Sequence, residues 1–174
     1  VENYDKKDYK WTIDLKLVNK IDKILELIYF SSGIKVGTPI AKGLASFQFF
    51  FIINVLCVKY KNDINKRRYE KAVLLIGRKS GKSFLIGLIF KLLMLLEPRF
   101  SEFYSVAPDK ELSKIVKKEC EQLIAVSPAL NKRFKVLRDR IECTLTDSKF
   151  IPLACSDNRM DGRKANVYVA DEVG

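Results

Sequence analysis

The run Ala72-Val73-Leu74-Leu75-Ile76 passes without a break into Gly77-Arg78-Lys79-Ser80-Gly81-Lys82-Ser83. A short, continuous apolar run suits a strand buried on both faces. A glycine-bearing turn follows, and then Lys82 to Leu96, apolar and long enough for a helix ended by Glu97-Pro98. Strand, tight turn and helix in that order make an anion cradle. The N–H groups of the turn converge, and the helix N-terminus adds positive potential. Gly81 lets the backbone approach a ligand closely. Lys82 suits the β- and γ-phosphate oxygens, and the Ser83 hydroxyl suits magnesium. The general phosphate-loop pattern places a glycine where Ile76 stands, so Gly77 sits one place late. A lysine and a serine merely opening a helix are the plainer reading, and the flanking strand and helix weigh against it.

A second apolar run, Val167-Tyr168-Val169-Ala170, ends in Asp171-Glu172. It predicts a strand delivering two carboxylates at its C-terminal end, the end at which open α/β sheets bind ligands. Asp171 is placed to hold magnesium through water. Glu172 is placed to orient and deprotonate an attacking water. An acidic pair entering a surface turn is the alternative for this motif taken alone. The chain has no histidine. That removes Ser-His and Cys-His catalysis and leaves a carboxylate as the natural base, with lysine or tyrosine behind it. Cys57, Cys120, Cys143 and Cys155 form no Cys-x-x-Cys pair, which argues against zinc and fits a reducing compartment.

The net charge of +11 over 174 residues favours contact with a polyanion, nucleic acid above all. Val1 to Trp11 is polar and does not read as a signal peptide. Leu44 to Tyr60 is very apolar, but Gln48, Asn54 and Lys59 interrupt it, so it reads as a buried helix and not a membrane span. Apolar spacing predicts helices over 18–30 and 44–58, and a basic linker over 59–71 containing Lys66-Arg67-Arg68. A strand over 103–107, a helix opening at Pro108-Asp109 and running to Val126, and short strands over 134–137, 141–145 and 149–153 follow. The alternation predicts an α/β fold, a P-loop NTPase three-layer sandwich with a mostly parallel sheet.

These motifs and their flanks resemble the ATPase domain of the large terminase subunit of tailed bacteriophages, in the family whose phosphate loop reads Pro-Arg-Lys-x-Gly-Lys-Ser. Here glycine, Gly77, stands where that family usually has proline. Ser46-Phe47-Gln48 resembles the upstream aromatic-glutamine motif that contacts adenine. Ser105-Val106-Ala107-Pro108 resembles the second strand and its turn, and Asp161-Gly162 with 167–172 resembles the loop and the acidic (Walker B) motif. The resemblance covers the chain from about Leu44 onward.

The resemblance implies an ATP-hydrolysing motor, using ATP and Mg2+, that drives viral double-stranded DNA into a preformed capsid. Nucleotide binding falls to Gly77, Arg78, Lys79, Ser80, Gly81, Lys82 and Ser83, with Phe47 and Gln48 at the base. Arg78, Lys82 and Glu172 carry catalysis, and Ser83 and Asp171 hold the metal. A guanidinium at Arg78 can bind the γ-phosphate bidentately, though a solvated arginine is the alternative. Arg159, Arg163 and Lys164 suit DNA, a neighbouring subunit's site, or plain solvent. The implied partners are DNA, the small terminase subunit, the portal protein and further copies in a ring, in host-cell cytoplasm and without a membrane. Residues 1–43 read as an N-terminal helical and linker segment, and 44–174 as an incomplete ATPase domain ending two residues after Glu172, with a nuclease domain expected beyond. Hydrolysis by this chain alone is expected to be weak. Another P-loop ATPase such as a helicase, or a basic domain that binds nucleic acid without nucleotide, remains open.

Overall fold

The computed structural model describes residues 10–77, 79–108, 110–154 and 165–170. They divide into two compact units. One comprises residues 10–23 and 44–75, the other the described residues of 24–43 and 76–170.

The first unit carries a three-stranded antiparallel sheet of β1 (Trp11–Ile13), β2 (Val58–Tyr60) and β3 (Asp63–Arg67), in that order. Asp14 follows β1 and caps helix α1 (Leu15–Glu26), its Oδ1 accepting the Leu17 N–H at 3.0 Å. The capped helix starts earlier than the apolar spacing predicts and stops at Glu26, four residues short of Phe30. A short helix α2 (Ile40–Gly43) belongs to the second unit, and α3 (Ser46–Cys57) to the first. At the start of α3, Gln48 Oε1 accepts the Ala45 N–H at 3.1 Å, one half of a capping box. The helix then runs directly into β2.

The segment expected as a basic linker is therefore a hairpin. Lys59 pairs with Arg67 and Tyr60 with Asp63, across an irregularity between Lys59 and Tyr60. No apolar alternation announces β3, whose Asp-Ile-Asn-Lys-Arg is exposed over four of its five residues. Its main chain, not its side chains, makes the strand.

The second unit is built on a five-stranded sheet in the order β5-β6-β7-β4-β8. The strands are β4 (Glu102–Ala107), β5 (Phe134–Val136), β6 (Ile141–Cys143), β7 (Ser148–Ala154) and β8 (Val167–Ala170). Strand β4 pairs in parallel with both β7 and β8, while β5-β6 and β6-β7 are antiparallel. Helices α4 (Lys82–Leu96), α5 (Lys110–Val126) and α6 (Pro128–Asn131) complete it. The sheet is thus mixed, with its parallel part centred on β4. Every residue from Phe103 to Ala107 is buried, which explains why β4 shows no alternation.

Helix α4 is the core element. Its residues from Leu85 to Met94 are all buried, so its sequence is apolar around the full circumference. Gly87 faces α5: a Cβ there would stand 3.4 Å from Glu119 Cβ and 3.6 Å from the Cys120 nitrogen, in ordinary van der Waals contact. Phe90 packs on Phe150 with ring centroids 4.5 Å apart.

One expected strand does not form. Residues 71–77 have no strand pairing, and Val73 and Leu75 are 81% and 90% exposed. A doubly buried strand needs a neighbour on at least one edge, and none of the described strands takes 72–76. Among the described strands β8 pairs only with β4.

Candidate nucleotide-binding site

The turn before α4 is shaped by two left-handed residues. Lys79 has φ 64°, and Gly81, the N-cap, has φ 79°. Glycine takes that conformation without a Cβ penalty, and lysine does not. Ser80 N–H reaches the Gly77 carbonyl at 3.4 Å, and Leu85 N–H donates to the Gly81 carbonyl at 2.9 Å. Among the described residues no side chain caps the helix, and its first turn holds no acidic residue. A helix N-terminus of this kind presents main-chain donors and positive potential to an anion. Gly77, Lys79 and Ser80 are exposed, and Gly81, Lys82 and Ser83 half-buried. This is the donor set a triphosphate fits, and Ser83 supplies a hydroxyl at the second helical position.

Where this N-terminus lies follows from the packing of the helix. The Thr146 and Ser148 hydroxyls, flanking the start of β7, donate to the Met94 carbonyl near the C-terminal end of α4, at 2.6 and 3.2 Å. Earlier on the helix, Phe90 meets Phe150. Moving back along α4 is thus moving forward along β7, so the two run antiparallel. From Met94 to Lys82 the helix extends about 18 Å. From Ser148 to Ala154 the strand extends about 20 Å. The start of α4 is therefore level with the C-terminal end of β7. In the parallel register Ala154 stands beside Ala107, and Val106 beside Ala170. The C-terminal ends of β7, β4 and β8 line one edge, and the cradle opens toward that edge, where α/β sheets take their ligands.

The predicted site residues are brought together only in part. Gly77, Lys79, Ser80, Gly81, Lys82 and Ser83 form the turn and first turn of α4. Asp171 and Glu172 follow Ala170 in the sequence, directly after β8. Like Arg78, Arg159, Asp161, Gly162, Arg163 and Lys164, they lie outside the described residues. Phe47 and Gln48 sit on α3, in the other unit. Phe47 is 45% exposed, while Gln48 is buried and its carbonyl oxygen is engaged by the Ala45 N–H. Gln48 is thus a capping residue as well as any contact it makes with a base. Ser105 opens the motif Ser105-Val106-Ala107-Pro108. It is buried on β4, and its hydroxyl has no hydrogen-bond partner among the described residues. A serine inside an otherwise apolar strand was the only signal it gave.

Two comparisons bear on this arrangement. The family described as terminase large subunit, ATPase domain, matches residues 47–174, and the chain belongs to that family. The crystal structure of the HK97 bacteriophage large terminase is similar at a TM-score of 0.71 and 19% identity, over 92% of this chain. At that identity the likeness establishes the fold. The chain spans 31% of the length of that structure. No curated protein matches the sequence. Among the described residues, no helix is long and apolar enough to cross a membrane.

Proposed function

We propose that this chain is the ATP-hydrolysing motor domain of a phage terminase large subunit, and that it drives packaging of viral double-stranded DNA into a capsid. The observation that carries the reading is the glycine-capped start of α4, with no acidic residue in its first turn, level with the C-terminal edge of the parallel strands. The main-chain amides of 77–83 grip the phosphates, and Lys82 neutralises the β- and γ-phosphate charge. Arg78 adds bidentate contact as charge develops on the transferred group. Phe47 and Gln48 take the adenine. The Ser83 hydroxyl and, through water, Asp171 would hold magnesium, which would supply positive charge to offset that of the triphosphate. Glu172 aligns the attacking water and accepts its proton as the new P–O bond forms and the bond to the β-phosphate oxygen breaks.

The wider assignment follows the family. The motor works as a ring of copies with a portal protein and a small subunit, in the host cytoplasm, and a nuclease domain belongs to the longer protein. Turnover by these residues alone, without DNA or neighbouring copies, is expected to be weak. The test is nucleotide binding, which does not require turnover. Titration with a fluorescent ATP analogue should show saturable, magnesium-dependent binding that weakens at least about tenfold in Lys82→Ala, a loss of roughly 1.4 kcal/mol. Equal affinity in the two proteins would remove the cradle from the argument.

A further inference from the structure

The sheet of the first unit has a face that the nucleotide site does not use. Trp11 on β1 stands directly opposite Tyr60 on β2, so the two rings share a face. Arg68, whose N–H donates to the Val58 carbonyl at 2.9 Å, extends the line of β3 alongside them. Its guanidinium lies 3.6 Å from the Trp11 ring centroid and 4.7 Å from that of Tyr69. Lys66 holds its ammonium 5.5 Å from the Tyr60 ring centroid. Lys66 and Arg68 are two apart on an extended chain, so they fall on one face. Lys10 and Lys61 flank them, joined by the Lys61 N–H to the Lys10 carbonyl, and both are exposed.

The charge here is lopsided. Residues 59–71 hold six basic and two acidic side chains, and residues 44–58 hold none of either sign. Lys66 pairs with Glu70 at 4.0 Å, between side chains 59% and 80% exposed, so this pair is screened and compensates little.

We infer that this aromatic-backed basic face of β1-β2-β3 is a binding surface for the phosphate backbone of duplex DNA. The choice of DNA among polyanions rests on the packaging reading. The choice of duplex over single strand rests on the rings. Single strands are held by aromatic rings offered to the bases. Here the rings of Trp11, Tyr60 and Tyr69 are overlaid by cations. They serve to steer the donors of Lys66 and Arg68 outward, which suits a row of phosphates and reads no sequence.

Trp11 is the only tryptophan, so its emission reports on this face directly. The experiment titrates the full 174-residue chain with a mixed-sequence duplex at several salt concentrations, following Trp11 emission and duplex anisotropy. Binding should move Trp11 emission, and log K should fall linearly with log salt. Lys66→Ala and Arg68→Gln should each lower that slope by about one, and the double variant should bind at least about tenfold more weakly at low salt. Arg99→Ala, in the other unit, should change neither. Far-UV circular dichroism and binding of the ATP analogue are read on the same samples. An unchanged slope in folded variants that still bind nucleotide overturns this surface and leaves the motor reading intact. So does tighter binding to single strands, or a Trp11 response to anionic vesicles but not to duplex. Failure of Lys82→Ala to weaken nucleotide binding strikes the motor reading instead.

Discussion

Replacing Lys91 with methionine should stabilise the protein. Lys91 is fully buried on α4, with its amine 3.6 Å from Met94 Sδ and 4.7 and 5.8 Å from the ring centroids of Phe134 and Phe150. Burial, the largest influence, pushes its pKa below 10.5, and the Cys120 and Cys143 thiols act in the opposite direction. Ring contacts return about 1–2 kcal/mol to a buried cation. Desolvating an ammonium costs several kcal/mol. Exchange for an apolar side chain of similar length should therefore gain about 1–3 kcal/mol, with Tm rising roughly 2–4 °C for each. The pH dependence gives a second readout. The unfolded chain keeps the Lys91 proton up to pH 10.5, whereas the folded chain releases it lower. Between those two values unfolding takes up a proton, so wild-type stability climbs with pH, and it levels off above the unfolded value. Lys91→Met lacks that climb. Cys120, whose buried thiol is pushed above its ordinary 9.0, works with the opposite sign at high pH. The comparison is cleanest below pH 9.0, where the Cys120 thiol keeps its proton in both states. Urea unfolding followed by far-UV circular dichroism measures both quantities. A variant that unfolds at lower urea, with the same pH slope as wild type, would refute the reasoning, because the amine would then be a charged group whose contacts outweigh its burial.

Gly81→Ala should cost about 1–2 kcal/mol, because φ 79° is penalised for any side chain. Gly77→Ala should leave thermal stability nearly unchanged, since among the described residues its Cβ would meet only Ser80 Oγ, at 3.7 Å, and its φ is not left-handed. Thr146→Val should cost about 1 kcal/mol in a denaturant melt and not more, because the Ser148 hydroxyl still reaches the Met94 carbonyl. Cys57, Cys120 and Cys143 are buried thiols, and burial pushes Cys57 up to about 11. At neutral pH they should resist a thiol reagent in the folded protein and react fully after denaturation, as counted by mass spectrometry.

Much of the second unit was legible because its signals are local. Helix α4 occupies the span the sequence implied, opened by Gly81 and stopped before Pro98. The β5-β6 hairpin turns over Arg138-Asp139-Arg140 as the flanking apolar residues implied. The first unit was hidden for a physical reason. Its β2-β3 hairpin is stabilised through main-chain pairing, and through rings stacked on cations instead of apolar alternation, so 59–71 reads as a solvated linker. The run 72–76 misled in the other direction. Apolar continuity records suitability for burial, and a strand forms only where a partner edge is supplied. At the site, the phosphate-loop residues were legible by type and spacing. The dual position of Gln48, capping its own helix, was not, because a capping glutamine and a base-binding glutamine look alike in sequence.

The account turns on one cation shared between the start of α4 and the acid after β8. Manganese in place of magnesium, titrated by electron paramagnetic resonance with a non-hydrolysable ATP analogue present, tests it most directly. The account predicts tight manganese binding only when nucleotide is bound, weakened by Ser83→Ala and by Asp171→Asn, with the double variant losing clearly less than the two single losses combined. Metal binding that ignores the nucleotide, or two losses that simply add, would contradict it.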